Sequence, residues 1–185
     1  MEHSADLDRF LARRFQTYDR DGDGHIQRED FTGSAEAMAA EFGLAEDDPR
    51  RVRLLNLVTR LWGHLSTVAD TDFDGQISLE EYRDAFALGL LETPETFEAG
   101  YVPFLDTILE IADTDEDGRI DKREHLRWTG ALMGIAPDIA GGVFDHLDAD
   151  DDGYVGRGEI LAAIRACYFD DGPDSARHWM LGPLE

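Results

Sequence analysis

The sequence predicts an all-α chain built from helix–loop–helix units in two pairs, with a short two-stranded β-ribbon joining the loops of each pair. Three observations carry this prediction. One twelve-residue pattern, Asp-x-Asp-x-Asp-Gly-x-(Ile or Val)-x-x-x-(Glu or Asp), recurs at residues 19–30, 70–81, 113–124 and 148–159. Apolar residues at helical spacing flank every copy. The eighth position of each copy, Ile26, Ile77, Ile120 and Val155, is β-branched within an otherwise polar stretch. That suits a residue in a short ribbon and pairs Ile26 with Ile77 and Ile120 with Val155.

The elements follow in order. Leu7, Phe10, Leu11, Phe15 and Tyr18 share a helical face ahead of the first copy, and Phe31, Met38 and Phe42 follow it. Asp47-Asp48-Pro49 reads as a cap and first helical position, opening a long helix with Val52, Leu55, Val58, Trp62, Leu65 and Ala69 on one face. Tyr82, Phe86 and Leu90 lead out of the second copy. A break at Glu92-Thr93-Pro94 marks the boundary between halves, and Pro103 is expected to start the helix that carries Phe104, Leu105, Ile108, Ile111 and Ala112. Leu126, Thr129 and Met133 leave the third copy. Pro137 begins the helix with Ile139, Val143, Phe144 and Leu147, and Leu161, Ile164 and Tyr168 leave the fourth copy. The copies are separated by 39, 31 and 23 residues, so the first pair has room for about an extra turn per helix. The expected organisation is an N-terminal pair over 1–92, a C-terminal pair over 93–169 and a tail over 170–185. After a turn at Asp170-Asp171-Gly172-Pro173 the tail is apolar through His178-Trp179-Met180-Leu181-Gly182-Pro183-Leu184, which predicts that it docks.

The chemistry lies in the repeated loops. Carboxylates at positions 1, 3, 5 and 12 with Gly at 6 form the ligand arrangement of an EF-hand calcium loop. A hard divalent cation takes six to eight oxygens at about 2.3–2.6 Å, and a short loop must curl to present them. The first loop offers Asp19, Asp21, Asp23, the His25 carbonyl and Asp30; the second Asp70, Asp72, Asp74, the Gln76 carbonyl and Glu81. The third offers Asp113, Asp115, Asp117, the Arg119 carbonyl and Glu124, and the fourth Asp148, Asp150, Asp152, the Tyr154 carbonyl and Glu159. The glutamates are long enough to chelate with both oxygens. Asp30 is one methylene shorter, which predicts a weaker first site or one suited to magnesium. Position 9 varies as Gln27, Ser78, Asp121 and Gly156, side chains that would act through a bridging water; Asp121 adds charge to the third site and ranks it among the tighter ones.

Composition sets the outer bounds. The chain has 185 residues, 42% hydrophobic, enough for a sizeable core. The formal charge of −24 is concentrated in the loops, and four calcium ions, eight positive charges, would bring it to −16. Such a field opposes nucleic acid or an anionic membrane as partner. The single cysteine, Cys167, allows no internal disulfide and fits a reducing, cytoplasmic compartment. The first residues show no basic stretch followed by an apolar run, and no segment reaches the roughly eighteen apolar residues a membrane span needs. The six histidines form no His-Glu-x-x-His pattern and Cys167 has no adjacent activator, so an enzyme is not expected. Arg50, Arg51 and Arg53 form the one basic cluster, read as a solvated face offset by Glu46, Asp47 and Asp48.

Four hands with uneven spacing, followed by Asp-Gly-Pro and then Trp-Met-Leu-Gly-Pro-Leu, resemble the sarcoplasmic calcium-binding proteins and bacterial calerythrin over essentially the whole chain. The resemblance implies one compact globule of two fused hand pairs, the tail tucked between them, and a calcium-buffering role. Such proteins often have one hand stripped of its ligands, whereas all four here keep theirs. Sensors expose methionine-rich grooves. Met38, Met133 and Met180 are scattered, which favours a monomeric buffer over a sensor acting on a protein partner. A third reading, a carrier of a small apolar ligand, follows from a likeness to photoproteins and luciferin-binding proteins, with Trp62, Trp128, Trp179 and His178 as the aromatics concerned. Core filling is the plainer account of these side chains.

Overall fold

The computed structural model describes residues 5–89, 94–170, 172 and 175–182, with residues 94–100 as backbone. Within these, eight α-helices run in the order α1 (Ala5–Tyr18), α2 (Arg28–Glu41), α3 (Pro49–Ala69), α4 (Leu79–Ala87), α5 (Pro94–Ala112), α6 (Lys122–Met133), α7 (Pro137–Leu147) and α8 (Arg157–Phe169). A 3₁₀ turn at Ala176–His178 follows. Two-residue strands β1 (His25–Ile26), β2 (Ile77–Ser78), β3 (Ile120–Asp121) and β4 (Tyr154–Val155) lie inside the loops. β1 pairs antiparallel with β2, Ile26 opposite Ile77, and β3 with β4, Ile120 opposite Val155, in the register that the eighth positions predict.

Helix ends obey local chemistry. Asp48 caps α3, accepting from the Arg50 N–H at 2.8 Å, with Pro49 at the first position. The Arg50 guanidinium and backbone N–H together hold the Asp48 carboxyl down at about 2. Gly134 ends α6 in the left-handed conformation, φ 65°, which glycine adopts without steric cost. The extra length of the first pair falls mainly on α3, with 21 residues against 11 in α7, and most of the remainder lies in the linker between α2 and α3.

Several side-chain expectations change. Pro103 does not begin a helix but lies inside α5. Its ring removes one N–H from the ladder, yet Leu105, Ile108 and Ile111 beyond it are buried, and this packing carries the helix through. On α3 the buried face is Leu54, Val58, Leu65 and Ala69, whereas Val52 is exposed. Val52 and Leu54 are two positions apart, about 200° around the helix. On α6 the buried residues include His125, Trp128 and Leu132, with Leu126 and Met133 only half-buried. The basic cluster is not offset by Glu46 and Asp47. Arg50 pairs with Asp48 at 2.9 Å, Arg51 with Glu36 of α2 at 2.7 Å, and Arg53 with Glu110 of α5.

One hydrophobic cluster crosses both pairs, joining Phe10, Ile26, Phe31, Ile77 and Tyr82 to Ile111, Ile120, Trp128, Cys167 and Tyr168. Helix α2 packs on α6, and α3 on α5, so the pairs meet face to face. In the tail, Leu181 is buried, its carbonyl accepts from Arg13 Nε at 3.0 Å, and Trp179 stacks on His146 at 5.0 Å. Asp171, Pro173, Asp174, Pro183 and Leu184 lie outside the described residues, as do Leu90, Glu92 and Thr93 of the expected break. No helix among the described residues is long and apolar enough to cross a membrane.

Candidate metal centres

Each loop joins the end of one helix to the start of the next, and the backbone sets the bend. Gly24, Gly75, Gly118 and Gly153 at position 6 have φ between 82° and 89°, conformations that L side chains rarely adopt. Position 4 is left-handed too, as Gly22, Phe73, Glu116 and Asp151, with φ from 57° to 72°. Residue type alone held no cue to this, because three of the four are not glycine.

The position-1 carboxylate draws the loop inward. Asp19 Oδ1 accepts from the N–H groups of Gly22 at 2.9 Å and Asp23 at 3.1 Å, and its Oδ2 from Gly24 at 2.9 Å. Asp113 and Asp148 repeat the pattern on Asp117 and Gly118, and on Asp152 and Gly153. At position 12 both oxygens are anchored across the loop by the N–H groups of positions 2 and 9. Glu81 accepts from Thr71 at 3.0 Å and Ser78 at 2.9 Å; Glu124 from Thr114 at 2.7 Å and Asp121 at 3.2 Å. Glu159 takes Ala149 at 3.3 Å and Gly156 at 2.8 Å. The shorter Asp30 finds the same two anchors, Arg20 at 3.0 Å and Gln27 at 2.7 Å. The loop closes around it.

Oxygens of Asp19, Asp21 and Asp30 lie within 4.8 Å of one another, as do those of Asp70, Asp72 and Glu81, of Asp113, Asp115 and Glu124, and of Asp148, Asp150 and Asp152. Asp23, Asp74, Asp117 and Glu159 fall outside these sets. Asp23, Asp74 and Asp117 each accept the N–H of position 7 at 2.8 Å, from His25, Gln76 and Arg119. Tyr154 N–H donates likewise to Asp152 at 2.9 Å. The His25 imidazole stands beside Asp23, Nδ1 to Oδ1 3.7 Å, outside the carboxylate set. Donor sets made of carboxylate oxygen alone suit calcium or magnesium rather than zinc or copper.

Position 9 serves the helix. Ser78 and Asp121 cap α4 and α6, the Asp121 Oδ1 accepting the Glu124 N–H at 2.7 Å. The Asp121 charge is therefore engaged by the backbone. Two further residues escaped sequence reasoning: the hydroxyls of Thr71 and Thr114 at position 2 donate to Glu81 and Glu124 at 2.9 and 2.6 Å. Arg20 and Ala149 occupy that position in the other loops, and a position-by-position alignment of the repeats would have shown the difference. Arg119 crosses from the third loop to Asp152 of the fourth at 3.2 Å and lies over the Tyr154 ring at 3.7 Å.

The electrostatics differ from loop to loop. Burial raises the Asp30 carboxyl above the ordinary range, the Gln27 and Arg20 N–H groups offsetting it only in part while Asp21 and Asp19 add to it. Burial also works upward on Glu81, but the N–H and hydroxyl donors of Ser78 and Thr71 outweigh it and hold the carboxyl at about 2. Asp115 is raised by desolvation and by the charges of Asp117, Glu124 and Asp113. A cation would relieve that repulsion.

Residues 8–87 match the EF-hand domain pair, and residues 105–124 match the EF hand. The chain is 28% identical to calerythrin of Saccharopolyspora erythraea over 160 residues, 86% of this chain and 90% of that protein. A Streptomyces coelicolor calcium-binding protein of known structure is 37% identical, the alignment covering 95% of this chain and 98% of that one at a TM-score of 0.75. A sarcoplasmic calcium-binding protein from amphioxus is 15% identical and superposes over all of both chains with a TM-score of 0.70, a likeness of fold alone. With four oxygen-lined loops on paired ribbons, the chain belongs to the EF-hand calcium-binding proteins.

Proposed function

We propose that the protein is a cytosolic calcium buffer, a monomer without enzymatic activity, in which residues 1–92 and 93–169 form hand pairs and the tail at 170–185 fastens them. One observation supports the buffer above the rest: the apolar faces of the two pairs cover each other in a shared core. The exposed large apolar side chains, Val52, Phe73 and Leu88, are scattered singly among the described residues and make no groove. A sensor needs such a groove for its target helix.

The ligands are the loop carboxylates at positions 1, 3, 5 and 12 with the carbonyl at position 7. The second and third sites bind most tightly, because the Thr71 and Thr114 hydroxyls add a donor that fixes the position-12 carboxylate. The first, closed by Asp30, accepts magnesium most readily. Calorimetric titration with calcium, with and without millimolar magnesium, tests this. Four calcium equivalents with magnesium competing mainly at one site support it, and fewer than four refute the site count.

A regulatory reading has one support, the Streptomyces coelicolor relative, which is described in terms of prokaryotic calcium-mediated regulation. An apolar fluorescent dye separates the two. A buffer binds it equally or less with calcium, and a sensor binds it more.

A further inference from the structure

Between the two hand pairs lies a cavity of about 90 Å³ that opens to solvent at its mouth. Its wall is mostly apolar and aromatic, with Phe10, Phe31, Phe104, Trp128 and Leu132 among the contributors. One guanidinium belongs to it. Arg14, on α1, is 9% exposed, and among the described residues it forms no ion pair. Its neighbours are neutral oxygens: Nη2 donates to the hydroxyls of Tyr18 at 2.8 Å and Tyr101, and Nη1 to Thr17 Oγ1 at 3.4 Å. Its Nε has no partner.

A second orphan belongs to the same wall, since the indole Nε1 of Trp128 is buried and unpartnered. Guanidinium and indole N–H groups donate and cannot accept. The wall's carboxylate, Asp30, is committed to the N–H groups of Arg20 and Gln27. What this interior lacks is therefore an acceptor, and beside an uncompensated buried cation an anionic acceptor gains most.

We propose that the cavity binds a long-chain monocarboxylate, its carboxylate received by Arg14 and its hydrocarbon body held among the aromatic and aliphatic side chains. The overall charge of −24 opposes anions at long range, and calcium on the loops reduces that opposition. At contact distance in a low-dielectric interior the guanidinium dominates. The site adjoins the first loop, because Tyr18 and Asp30 both line it. The inference is independent of the buffer reading and survives its failure.

The test uses the full, calcium-saturated chain and cis-parinaric acid, a fluorescent polyene monocarboxylate, at micromolar concentration. Energy transfer from tryptophan reports binding, and displacement by palmitoleic acid is compared with displacement by palmitoleyl alcohol. The expected result is saturable one-to-one binding, with the acid displacing the probe at least tenfold better than the alcohol and Arg14→Gln erasing that preference. Absence of saturable binding, equal displacement by acid and alcohol, or retention of the preference in Arg14→Gln overturns the proposal. Should Arg14→Gln fail to fold by circular dichroism, Leu132→Trp decides: it fills the cavity and must abolish probe binding, and undiminished binding overturns the proposal.

Discussion

Aligning the four repeats one residue past the twelfth position sets Phe31, Tyr82, His125 and Ile160 in equivalent places, all buried. His125 is the polar member. Its ring meets those of Trp128 at 5.5 Å and Phe144 at 5.6 Å, and neither imidazole nitrogen has a hydrogen-bond partner. Burial, aided by the nearby Lys122 ammonium, lowers its pKa from 6.5 to about 4. Above pH 6.5 the ring is neutral whether the chain is folded or not, and stability does not depend on its protonation. As pH falls from 6.5 towards 4 the unfolded chain takes up a proton that the folded one refuses, so folding loses about 1.36 kcal/mol per pH unit, roughly 3 kcal/mol in all. His125→Phe removes this dependence and also the cost of two unsatisfied nitrogens, about 1–3 kcal/mol. The variant is expected to be more stable at pH 8 and its advantage to grow by roughly 3 kcal/mol between pH 6.5 and 4. Urea unfolding of both proteins across pH 4–8 measures it, and subtracting one curve from the other cancels the carboxylates they share. A difference that stays flat across that range, or a less stable variant, refutes the reasoning.

Four other outcomes follow. Saturating calcium at a hundredfold over each dissociation constant adds about 2.7 kcal/mol per site, about 11 kcal/mol for four, so chelation is expected to lower the melting temperature by roughly 20–40 °C in calorimetry. Asp30→Glu lengthens the position-12 carboxylate of the first loop and is expected to raise its calcium affinity about tenfold while weakening magnesium competition; an unchanged titration would refute the ligand argument. Thr114→Val deletes the hydroxyl on Glu124 and is expected to cost about 1–2 kcal/mol of calcium binding at the third site, measured by the same titration. Gly182→Ala places a methyl 2.8 Å from Ile139 Cγ2 at φ +94°, and is expected to destabilise the protein by about 1–3 kcal/mol in thermal melts.

Loop chemistry was legible because it is local. A twelve-residue spacing brings the carboxylates of positions 1 and 3 together in every loop, and the β-branched eighth position sets the ribbon register without reference to the rest of the chain. Pro49 and Pro137 were legible for the same reason, as first residues of helices whose entry depends on a few neighbouring dihedrals. Pro103 was not: the same signal appears, but burial of Leu105, Ile108 and Ile111 carries α5 through it.

By itself the sequence determined four oxygen-lined loops, their pairing and the helices that hold them, since each rests on contacts within a dozen residues or on a repeated pattern. Only the tertiary structure decided that Arg51 and Arg53 clasp Glu36 and Glu110, that His125 is buried beside a site, and that Arg14 and Trp128 share one cavity. These depend on which helix faces come together, and helical periodicity specifies a buried face without naming the surface that buries it.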